Sequence, residues 1–230
     1  MLSRDDIFNE LGIGPVWRLR NAPGGSPHAP VPVPIQNWEQ LADVVAHCTA
    51  CSLHTSRTQS VLGVGDRNAD WLIIGEAPGV EEDEQGEPFV GQAGQLLDAM
   101  LGAIGLARGN NVYITNVLKS HPPGNRDPEP DELTACRPYL QAQIELIQPK
   151  IILALGHVAA QSLLDSKETI GHLRGRVHQF QGVPLVATYH PAYLIRKPTE
   201  KARAWEDLCL ARRLLQSPPA LNLKTAVDRL

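Results

Sequence analysis

Four runs of the chain are free of charged residues and rich in branched apolar side chains: 71–74 (Trp71-Leu72-Ile73-Ile74), 112–117, 151–155 and 185–188. Such runs read as strands buried on both faces. Apolar residues recur at helical spacing between and after them, over 95–104, 132–147, 157–164 and 199–215. Strands alternating with helices predict an α/β fold, a three-layer α/β/α sandwich around a central four-stranded, mainly parallel sheet. A further helical pattern, Trp38, Leu41, Val44 and Val45, opens this part of the chain and runs up to Cys48.

The ends differ in character. Ile7, Leu11, Ile13, Val16 and Trp17 form a short apolar set that Gly12 and Gly14 interrupt, and Pro23, Pro27, Pro30, Pro32 and Pro34 then favour an extended linker. The expected organisation is an N-terminal extension with Pro-rich linker (1–36), one folded domain (37–215) and a C-terminal tail (216–230). With 230 residues, 43% of them hydrophobic, the chain can bury one sizeable core, and a monomer is expected. No stretch reaches the ~20 apolar residues of a membrane span, and the start lacks the apolar region of a secretion signal, so the expected location is the cytoplasm. A net charge of -4 excludes a generally basic coat. Local charge differs, because residues 167–203 hold seven Lys or Arg and two acidic residues.

Polar residues gather just past the predicted strands, where ligands of open α/β sheets collect. Gly75-Glu76-Ala77-Pro78-Gly79 follows the first run and leads through Glu82 to Gly86-Glu87-Pro88-Phe89-Val90-Gly91. These residues fit either a pocket wall with an aromatic platform or an ordinary glycine turn. Asn116 ends the second run; its amide can donate and accept at once, which suits reading a base edge and equally a capping role. His190, before Pro191, follows the last run. Of four cysteines, Cys48 and Cys51 form a two-residue-spaced pair after a helix, which favours metal ligation over a thioredoxin-like redox site. Cys209, among Leu208, Leu210 and Leu214, reads as core.

Together, Gly75-Glu76-Ala77-Pro78-Gly79, Glu87-Pro88-Phe89-Val90-Gly91, Asn116-Val117-Leu118-Lys119 with Pro122-Pro123, and Tyr189-His190-Pro191 resemble family 4 of the uracil-DNA glycosylases, the iron-sulfur branch. The resemblance covers about residues 38–215. It implies a DNA repair enzyme that flips uracil out of single- or double-stranded DNA and hydrolyses its N-glycosidic bond. Phe89 would stack on the base, Asn116 would hydrogen-bond its Watson-Crick edge, and His190 would stabilise charge developing on O2. Ala77 stands where the best-known uracil-DNA glycosylases carry a water-orienting aspartate, so Glu76 is the carboxylate left to place water or face the cationic sugar. Glu82 matches the position that crowds the uracil C5 edge, although it also fits a solvated acidic run.

For DNA, the resemblance implies phosphate contacts by Arg174, Arg176 and Arg196, and an apolar wedge, Leu194, in the gap left by the base. It also implies a [4Fe-4S] cluster on Cys48, Cys51 and Cys136. The fourth cysteine of the family is replaced here by Ser120, next to His121, so Ser120, His121 or solvent would complete the cluster. Two other readings remain compatible with these residues: a DNA-binding protein of the same shape with little turnover, and a glycosylase for other deaminated bases.

Overall fold

The computed structural model describes residues 35–216. The expectations for residues 1–34 and 217–230 lie outside the described residues.

Helix α1 (Trp38–Ala46) begins where Asn37 accepts a hydrogen bond from the Gln40 amide. The chain then alternates: β1 (Val64–Gly65), β2 (Trp71–Gly75), α2 (Val80–Gln85), α3 (Gln92–Ala103), β3 (Val112–Asn116), α4 (Pro130–Ile147), β4 (Ile151–Leu155), α5 (His157–Leu164), α6 (Ile170–Leu173), β5 (Val177–Phe180), β6 (Val183–Thr188), α7 (Pro191–Arg196) and α8 (Lys201–Gln216). The strands form one sheet in the order β1-β3-β2-β4-β6-β5. β3, β2, β4 and β6 run parallel, as expected. The sheet has six strands rather than four, because the short strands β1 and β5 pair antiparallel on its two edges.

Alternation along each central strand divides the core. Trp71, Ile73, Ile114, Leu153 and Val186 face one layer, filled by Leu97 and Leu101 of α3, Leu194 of α7 and Leu208 of α8. Leu72, Ile74, Tyr113, Ile152 and Leu185 face the other, filled by Leu140 and Ile144 of α4 and by Ala160 and Leu163 of α5. Both faces are covered, so the three-layer expectation holds. All four parallel strands end at the same edge, which brings Gly75, Asn116, Gly156 and His190 together.

Candidate active site

A cleft of about 790 Å³ opens at that edge, lined among others by Glu76, Ala77, Glu82, Phe89, Asn116, His190 and Arg196. Seven of the ten residues expected to meet substrate or DNA therefore share one wall. Phe89 lies 5.5 Å from the His190 ring, stacked at 30°. It sits in a turn at φ 58, a left-handed conformation that costs a bulky residue energy. Arg108 holds that turn, donating to the carbonyls of Pro88 (2.9 Å) and Phe89 (2.8 Å). Gly75 is obligatory beside it: a side chain there would collide with the Asn116 amide oxygen and the Phe89 ring.

Asn116 is 2% exposed, and its Oδ1 is buried without a hydrogen-bond partner. Leaving a buried acceptor unpaired costs on the order of 1–3 kcal/mol. Lys119 braces the loop from behind, its Nζ donating to the Asn116 carbonyl (2.6 Å), Thr115 Oγ1 (2.7 Å) and Gln143 Oε1 (2.6 Å). Burial pulls the Lys119 pKa down to about 7.

His190 caps α7: its Nδ1 accepts from the Ala192 amide at 3.2 Å. That bond requires the lone pair on Nδ1, so the neutral ring carries its proton on Nε2. Burial first, then the charges of Arg196 and His157, lower the His190 pKa to about 4. The ring is therefore a neutral donor at physiological pH. Glu76 has its pKa raised by burial and by nearby Asp127, while His157 acts in the opposite direction.

A model of the uracil DNA glycosylase superfamily matches residues 62–209. Type-4 uracil-DNA glycosylases of Archaeoglobus fulgidus and Pyrobaculum aerophilum are similar to this chain, at 45% identity (70% of this chain, 85% of the relative) and 41% identity (75% and 91%). A third, from Thermotoga maritima, is 43% identical over 72% of this chain and 88% of its own length. The chain belongs to the type-4 uracil-DNA glycosylases. Within this glycosylase, three of the expected residues take up positions that change their reading.

Glu82 is neither a free pocket carboxylate nor a solvated one. Its two oxygens accept from the amides of Gly79 (3.0 Å), Val90 (3.1 Å) and, more weakly, Gly91 (3.5 Å), tying the two pocket loops together. Leu194 is 0% exposed and packs in the core, because it lies on the face of α7 opposite the cleft-lining Ala192, Tyr193 and Arg196. A wedge reaching into DNA would have to leave that core. Arg174 is held by Asp207 (3.0 Å), Glu206 (3.1 Å) and the Arg203 carbonyl (2.7 Å), with its guanidinium over the Tyr189 ring. These partners turn it inward, away from the cleft. Arg176 pairs with Glu168 at the surface, and Arg196 lines the cleft.

Sequence reading missed Asp207. This fully buried carboxylate accepts from Thr188 Oγ1 (2.8 Å), Arg174 Nε (3.0 Å) and the Gly175 amide (3.0 Å), fastening α8 to the strand end that carries His190. It also missed His157, Asp127 and Tyr193 on the cleft wall. Polar residues at helix starts and in loops gave no periodic signal to find them by.

The three cysteines converge beside the same loops. Cys136 of α4 packs with Leu53 and Leu118, with Cys51 and Ala77 against them. Tyr139 donates its hydroxyl to Cys48 Sγ at 3.1 Å. Burial pushes the Cys136 thiol up to about 11 and raises Cys51 as well, with the charges of Cys51 and Cys48 adding to the rise at Cys136 and that of Cys48 at Cys51. Among the described residues, no three His, Cys, Asp or Glu side chains could hold a single metal ion. An iron-sulfur cluster spreads its thiolates over separate irons, so three cysteines near enough for their charges to interact fit three of its corners. Cys209 is excluded as a fourth ligand, since α8 packs on the opposite face of the sheet from α4.

Proposed function

We propose that this protein rotates uracil out of DNA into the cleft and hydrolyses the bond between uracil N1 and the sugar C1′, leaving an abasic site. The observation that carries the reading is the unpartnered Asn116 Oδ1 at the base of the cleft. It is aimed where the uracil N3–H would donate, and the amide N–H2 of the same side chain would donate to O4. Cytosine presents an unprotonated N3 and an amino group at these points, so the same amide repels it. Phe89 forms one face of the base site.

As the C1′–N1 bond breaks, its electron pair passes to the base and spreads onto O2. A neutral His190 donating through Nε2–H stabilises that oxyanion without first having to lose a proton. The sugar is left cationic, and Glu76 faces it from the neighbouring loop; water adds to C1′, and the proton it gives up neutralises the departed uracil anion. Cleft-lining Arg196 and the locally basic surface serve the phosphates. The body formed by residues 37–215 would be the working unit.

Cys48, Cys51 and Cys136 would hold an iron-sulfur cluster. When bound, the cluster supplies a cross-link between the Cys48 loop and α4, since no step of the hydrolysis transfers an electron. The decisive assay uses oligonucleotides carrying uracil, hypoxanthine or a thymine mismatch. Abasic product from uracil alone is expected, and Asn116→Asp should weaken uracil cleavage while admitting cytosine. Unchanged discrimination in that variant would remove Asn116 as the reader.

A further inference from the structure

Arg57 bridges the end of α1, the Cys48 loop and the Ser120 loop. Its Nη1 donates to Ser120 Oγ at 2.9 Å, while Nη2 donates to the carbonyls of Cys48 (2.8 Å) and Ala46 (3.0 Å). Three acceptors from a helix end and two loops fix the guanidinium plane. Ser120 itself is 3% exposed, one residue beyond the braced Lys119, and Leu53 and Leu118 pack beside Cys136 at no more than 1% exposure.

We infer that the resident centre of this chain is a three-iron, four-sulfide cluster, with the corner that would hold a fourth iron closed by the Arg57–Ser120 pair. The inference rests on the cluster reading above and makes it specific. Each iron of a cuboidal cluster needs its own ligand from outside the core. Cys48, Cys51 and Cys136 supply three. Of the other donors nearby, Lys119 Nζ is bonded to its three oxygens, His54 Nδ1 to the Cys51 carbonyl at 2.7 Å, and His121 Nε2 to Oδ1 of the cleft-lining Asn125 at 2.9 Å.

Ser120 is a poor fourth ligand for two reasons. A hydroxyl gives up its proton far less readily than a thiol, and metal ligation needs the deprotonated form. Its oxygen also already accepts from a permanent cation, so an iron there would bring a second positive charge onto the same atom. Ser120, Leu53 and Leu118 are all buried, which leaves little room beside them for a solvent ligand. A four-iron cluster delivered to the site would lose its unligated iron: [4Fe-4S]2+ gives [3Fe-4S]+, Fe2+ and one electron, which dioxygen accepts.

The test is iron and sulfide analysis with low-temperature electron paramagnetic resonance on the full chain, handled first without and then with air. About three irons and four sulfides per chain are expected after air, with the half-integer-spin signal of an oxidised three-iron centre before any reductant is added. Ser120→Ala should leave both unchanged. Ser120→Cys should raise the count to about four irons and abolish the signal in the unreduced protein. Four irons and no signal in the unsubstituted protein after air would overturn the inference while leaving the cluster reading intact. Loss of the centre in Ser120→Ala would also overturn it, because Ser120 would then be a ligand. Protein free of iron and sulfide even without air would overturn the cluster reading itself, and the inference with it.

Discussion

At the scale of single residues, the site depends on which atoms are left without partners and which are supplied with them. His190 spends Nδ1 on the Ala192 amide, which leaves the Nε2 proton for substrate. His190→Ala should therefore slow cleavage far more than it weakens binding of uracil DNA, by on the order of 3 kcal/mol in the barrier, read from single-turnover rates against a binding isotherm. A pH dependence follows from the same geometry. The folded protein holds the His190 pKa below the ordinary imidazole value, at about 4, so the folded state binds fewer protons than the unfolded chain between the two. The stabilising contribution of the neutral ring is complete above the ordinary value and is lost as pH falls toward 4. In Glu76→Gln, which removes the carboxylate that also titrates on the acid side, the acid limb of the single-turnover rate should lie near pH 4. A limb near pH 6 would mean that His190 is solvated and works as an ordinary imidazole.

At the scale of elements, the parallel strands were legible because each is a short uninterrupted apolar run, buried on both faces and too short to be mistaken for a helix. β1 and β5 were not legible. β1 has two half-buried residues, and β5 alternates exposed and half-buried positions without an apolar face to mark it. Helix starts shifted for a related reason: α3 begins at Gln92, after a Gly91 cap, ahead of its first apolar side chains, and Pro130 fills the first position of α4. The strand-end motifs located the cleft correctly, but a motif does not say where a side chain points. Leu194 faces the core where its helix packs on α3, and Arg174 faces Asp207 of α8, both decided by contacts remote in sequence. Leu194→Ala should accordingly lower stability by roughly 2–5 kcal/mol in denaturant unfolding, as a core truncation does. Asp207→Asn should cost roughly 3 kcal/mol, since it leaves the Arg174 charge under-compensated, and should also lower the cleavage rate by loosening the strand end before His190. A variant as stable and active as the parent would show that the Thr188-Asp207-Arg174 link has no part in placing His190.

At the scale of the whole molecule, the cleft and the cysteine corner are two ends of one construction. Ala77 lines the cleft and packs against the Cys51–Cys136 group, and Lys119 joins the Asn116 loop to Gln143 of α4, the helix that carries Cys136. α1 belongs to the same unit: Leu41 and Val45 pack on Tyr139 and Ala142 of α4, with Ile35 and Trp38 beside them. The working body should therefore include α1, even though the family match begins only at residue 62. Residues 1–34 read from the sequence as an extension with a Pro-rich linker, so without them uracil excision and melting temperature should stay within the scatter of neutral surface changes, about 0.5 kcal/mol. Removing residues 1–48 instead deletes α1 and Cys48, exposes Tyr139 and Ala142, and strips the Cys48 carbonyl from Arg57. That protein should melt well below the parent and lose excision. Thermal unfolding and a uracil-cleavage assay on the two truncations separate the outcomes: equal damage from both would mean that the first 34 residues contribute to the fold, and no damage from either would mean that α1 and the Cys48 loop are dispensable to it.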